Sequence, residues 1–72
     1  MASVFDAAIL AQCSRYWMRM ALVVDMTRAH EHGRVVTEAD LAVAIAALVA
    51  EGRLEAEGDP ADPSACLVRL PG

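Results

Sequence analysis

The stretch TEADLAVAIAALVAEGRLEAEGD, residues 37–59, decides the fold. Thr37 can cap a helix with its hydroxyl, and Asp40, three residues on, places an acid at the positive end of the helix dipole. Leu41, Ala44, Ile45, Leu48 and Val49 then recur at i, i+3, i+4, i+7, i+8, one apolar face of a helix over about 38–51. Gly52 stands where a left-handed C-cap belongs. Beyond it, Arg53-Leu54-Glu55-Ala56-Glu57 alternates like a strand, with Leu54 and Ala56 on one side. One further property marks the stretch. The ten residues Leu41 to Ala50 carry no charge, and half of them are alanine.

On the C-terminal side, Gly58-Asp59-Pro60-Ala61-Asp62-Pro63-Ser64 is turn chemistry throughout. The segment from about 65 to 70 reads as a return strand, with Cys66, Val68 and Leu70 on its inner face. A two-stranded hairpin (about 53–57 and 65–70) is marginal alone and needs helices to pack on. On the N-terminal side, Ser3 with Asp6 forms a variant capping box for a first helix over about 4–12. Ser14 can cap a second, over about 15–30; one unbroken helix from 4 to 30 is the alternative that periodicity does not exclude. Within it, Trp17, Met20, Ala21 and Val24 share a face, and Met18, Leu22 and Met26 form a second ridge. His30, His32 and Gly33 suit a helix C-terminus. A third short strand is expected near Val35-Val36.

The order of capped helix, glycine stop and hairpin resembles the close of a winged-helix domain. The wider pattern is similar to an uncharacterised bacterial family of unknown function. The matching elements are Asp6 with Ile9-Leu10, Trp17, Ala21 with Val23-Val24, Leu48-Val49, Gly52, Leu54-Glu55, Gly58-Asp59 and Val68-Arg69-Leu70-Pro71. That resemblance implies a fold and no activity. The expected architecture is a single domain over residues 1–72, mainly α with a small β wing, an α+β class of winged-helix-like type.

Composition bounds what such a domain can do. At 72 residues the chain is near the lower limit for an independent core, yet 57% of it is apolar. Small domains gain stability by oligomerising, so the surplus points to a second apolar face covered by another chain. No apolar run is long enough to span a membrane, and no secretory leader pattern opens the sequence, so a cytoplasmic protein without membrane contact is expected. Two cysteines are too few for a disulfide framework.

Charge argues against the first role suggested by a winged helix. DNA affinity depends on cations against phosphates, and base readout wants Arg, Lys, Asn or Gln on the groove face. The third helix carries only Glu38, Asp40 and Glu51, and the wing adds Glu55, Glu57, Asp59 and Asp62. Residues 1–34 hold four arginines against three acids, while residues 35–72 hold two arginines against seven. A DNA-binding transcription regulator is therefore the second reading. The first is a non-enzymatic protein–protein interaction module, a homodimer or a partner of another protein. Val43, Ala46, Ala47 and Ala50 form an outward stripe of small uncharged residues on the third helix. With Trp17 and Met20 they are the expected interface. No cofactor, metal or catalytic residue is expected. His30 and His32, two apart, point to opposite sides of a helix. Cys13 and Cys66 have no activating flank, and the acids sit at helix starts, in the turn or facing outward.

Overall fold

A computed structural model describes residues 5–31 and 36–71. It contains α1 (Asp6–Gln12), β1 (Met18–Arg19), α2 (Met20–His30), α3 (Glu38–Ala50), β2 (Glu55–Glu57) and β3 (Leu67–Arg69), with a single 3-10 turn over Pro63–Ala65. The three strands form an antiparallel sheet in the order β1-β3-β2. Three helices with a small strand after the first, and a wing after the third, make a winged-helix-like α+β fold.

The third helix obeys its local sequence. The Thr37 hydroxyl accepts a hydrogen bond from the Asp40 N–H at 3.1 Å, the expected N-cap. Leu41, Ala44, Ile45 and Leu48 are buried. At the other end Gly52 has φ 78°, the Gly52 N–H bonds to the Val49 carbonyl at 3.1 Å, and the Arg53 N–H bonds to that of Leu48 at 2.9 Å. This is a Schellman motif, and it turns the chain so that Leu54 enters the core. In the wing the register pairs Glu55 with Arg69, Ala56 with Val68 and Glu57 with Leu67. Leu54, Cys66 and Val68 are buried, and Ala56 and Leu70 are half-buried against the core, which is the expected inner face.

The turn between β2 and β3 is held by its own side chains. Asp59 Oδ1 accepts from the Ala61 N–H at 2.9 Å, and Ser64 Oγ donates to Asp62 Oδ1 at 2.7 Å. Because residues 63–65 form a 3-10 turn, β3 begins at Leu67 and not at 65.

The N-terminal half departs from its periodicity. Two helices form here, as expected, and not one unbroken helix, but α2 begins only at Met20 and not near residue 15. The Ser14 hydroxyl, expected as the cap of α2, instead accepts from the Tyr16 N–H at 3.2 Å in a local turn. The Ser14 carbonyl accepts from the Leu70 N–H at 2.7 Å, tying this link to the C-terminal strand. Met18 and Arg19 then pair with Val68 and Leu67. The third strand of the sheet is therefore formed here. Val36 is buried outside any strand, and Val35 lies outside the described residues. The physical reason is that β3 has two edges. β2 satisfies one, and 18–19 supply backbone partners for the other, with the Met20 N–H adding a bond to the Cys66 carbonyl at 2.9 Å.

The shortened α2 presents one apolar stripe and not two ridges. Met20, Val23, Val24 and Thr27 are buried at i, i+3, i+4 and i+7, while Leu22 is 47% exposed. Thr27 is tolerated there because its hydroxyl donates to the Val23 carbonyl at 2.7 Å. The expected Ser3 cap of α1, together with His32 and Gly33 after α2, lies outside the described residues. Asp6 lies in the first turn of α1, near the positive end of its dipole as expected, but as its first residue; it is buried, and its carboxylate takes Arg53 at 3.3 Å. That ion pair fastens the start of α1 to the end of α3. One core joins the three helices and the sheet, built from Ile9, Met20, Val23, Val24, Val36, Leu41, Ala44, Ile45, Leu48, Leu54, Cys66 and Val68.

Candidate functional site

The core stripe of α3 leaves the opposite side of that helix facing outward. Val43 is 71% exposed there, Ala47 and Ala50 are exposed, and Ala46 is half-buried. Valine at that exposure in a small domain keeps most of an aliphatic side chain in water. Two shallow hollows flank this face. One, of about 640 Å³, lies between α3 and the wing turn, with Ala39, Ala42, Val43 and Ala46 on one side and Pro60, Ala61 and Pro63 on the other. Glu38 and Asp59 stand at its margin. The second, of about 340 Å³, runs between α3 and the start of α1 and includes Phe5, Val43 and Ala47, with Asp40 and Glu51. Val43 is common to both.

Met20 is corrected. It is fully buried as the first residue of α2, so it belongs to the core and cannot touch a partner. The expected Trp17–Met20–Val24 face dissolves for the same reason. Met20 and Val24 point inward, and Trp17 precedes β1 instead of lying on a helix. Trp17 is 38% exposed, with the Arg69 guanidinium 4.3 Å above its ring centroid. Arg69 Nε in turn donates to Glu55 Oε1 at 2.8 Å, a cross-strand pair between β3 and β2. Trp17 and the α3 residues thus point away from the core on different elements. The residues missed in the sequence are those of the wing turn and Tyr16, which is 82% exposed beside Trp17. Two adjacent aromatics, a β-favouring pair, were the available signal for a strand at that point.

No cation lies on α3. Arg28 pairs with Glu38 at 3.5 Å, Arg53 with Asp6 at 3.3 Å, and Arg69 with Glu55 at 2.8 Å, so three arginines are already neutralised by carboxylates. Burial pushes the Cys13 thiol above its ordinary value. Cys66 is raised first by burial and then by the Asp59 and Asp62 carboxylates. A raised thiol is a poor source of thiolate, so both cysteines behave as small core groups. His30, the last residue of α2, is exposed. Among the described residues no three His, Cys, Asp or Glu side chains are grouped to hold a metal ion. No described helix is long and apolar enough to cross a membrane.

No protein-family model, curated protein or solved structure matches the chain.

Proposed function

We propose that the chain is a non-enzymatic protein–protein interaction module that associates with itself through the outward face of α3. The observation that carries this reading is Val43, 71% exposed in the middle of an uncharged face and lining a hollow on either side. Covering such a side chain is worth about 1–2 kcal/mol, and the small alanines around it allow another surface to come close. Ala47→Glu places a charge on the same face at an exposed position, so it leaves the fold intact. The wild type is expected to sediment above monomer mass and the variant at monomer mass, with matching circular dichroism. Equal masses for the two proteins would refute this face as the contact.

A DNA-binding regulator is the second reading, favoured by the winged-helix-like shape alone. The acidic α3 and wing oppose it. Salt-sensitive retention of a labelled duplex would revive it, and none is expected.

A further inference from the structure

The outward side of the sheet carries a surface of the opposite character to the α3–wing hollow. Trp17 and Arg19 lie two residues apart on one side of the β1 segment, while Met18 between them packs on the core. Tyr16 is 82% exposed, and Arg15 and Arg19 are exposed and form no ion pair among the described residues. Arg69 lies over Trp17. The patch holds two exposed aromatics with Arg15 and Arg19 as its cations, while the Arg69 charge is met by Glu55 at 2.8 Å. The hollow between α3 and the wing is lined by alanine, valine and proline and bordered by Asp59 and by Glu38, which also pairs with Arg28 at 3.5 Å. The split is already present in the chain, since residues 1–34 have a net charge of +1 and residues 35–72 one of −5.

We propose that these two surfaces bind each other between copies, so that the Arg15–Arg19 segment of one copy docks into the α3–wing hollow of the next. The occupant is a second copy because the chain itself displays what the hollow's chemistry calls for, exposed aromatics between unpaired cations. A symmetric contact of α3 on α3 would instead bring Glu38, Asp40, Glu51 and Asp59 of both copies together, and like charges facing each other oppose association. A contact between two different surfaces leaves one of each open at the ends, so the assembly closes into a ring or grows as a chain. Its cohesion has an electrostatic part and weakens with added salt.

This inference rests on the reading of the α3 face as an interaction surface, and a mixing experiment separates the two. One variant, Arg15→Glu with Arg19→Glu, removes the cationic patch and keeps the hollow. A second, Val43→Glu, spoils the hollow and keeps the patch. Each alone is expected to sediment as a monomer, and the two mixed are expected to form a capped one-to-one dimer. If the mixture stays monomeric, the inference is overturned. If the arginine variant keeps wild-type mass while Val43→Glu is monomeric, the inference also falls, but α3 stands as a symmetric interface. If the wild type itself is monomeric at its highest soluble concentration, both readings fail. Tyr16→Ser is the backup for the patch, since the side chain of Tyr16 is 82% exposed, and circular dichroism confirms that each variant is folded.

Discussion

The wing turn closes on a glycine that no other residue can replace without moving backbone. Gly58 has φ 98°, and a β-carbon built there stands 2.6 Å from the Ala65 carbonyl oxygen and 3.3 Å from the Cys66 α-carbon. Both neighbours are main chain, so neither can rotate away as a side-chain tip would. Gly58→Ala therefore carries two penalties. The left-handed conformation costs about 1–2 kcal/mol for a residue with a β-carbon. Relieving the close approach displaces the backbone beside buried Cys66 and Val68, which adds about 1–3 kcal/mol by analogy with overpacked cores. Gly52→Ala is the internal control. Its φ of 78° carries the same conformational cost, but nothing lies within 4 Å of the added carbon, so about 1–2 kcal/mol is the whole effect. A domain of this size has only about 4–11 kcal/mol of stability in all, so the two losses are readily separated. Urea unfolding monitored by circular dichroism, with the wild type and both variants at equal concentration, measures them. Equal concentration matters because self-association adds to apparent stability. The expected order of midpoints is wild type, Gly52→Ala, Gly58→Ala. A Gly58→Ala midpoint at or above that of Gly52→Ala would falsify the close-approach argument.

Thr37→Ala removes the acceptor for the Asp40 N–H and should cost about 1 kcal/mol in the same assay, while Thr37→Ser should recover most of it. Leu48→Ala empties a fully buried position where α3 meets the core, and a loss of about 2–5 kcal/mol is expected. A loss under about 1 kcal/mol would mean that the site collapses without a cavity. The two cysteines make stability fall at alkaline pH. Their thiols are raised in the fold from an ordinary 9.0, so as pH rises past that value the unfolded chain gives up protons that the folded chain keeps. The urea midpoint should therefore decrease above about pH 9, and the decrease should be smaller in Cys13→Ala. An unchanged slope in that variant would show that the Cys13 thiol contributes nothing.

The sequence by itself determined α3, its glycine stop and the inner face of the wing. Thr37, the stripe from Leu41 to Val49, Gly52, and the alternation of Leu54, Ala56, Cys66, Val68 and Leu70 all act through neighbours within a turn or along one strand. Local periodicity and capping chemistry therefore carry them. The exposure of Val43 and the acidity of the wing were legible for the same reason. What only the tertiary structure decided is the fate of residues 14–20. Their side chains fit a helix as well as a strand, and the choice falls to backbone partners from the other end of the chain. Leu70 takes the Ser14 carbonyl, and Val68 and Leu67 pair with Met18 and Arg19. Because β3 needs hydrogen bonds on both edges, that segment is drawn into the sheet. Met20 is thereby turned into the core, and Tyr16 and Trp17 are left on the surface.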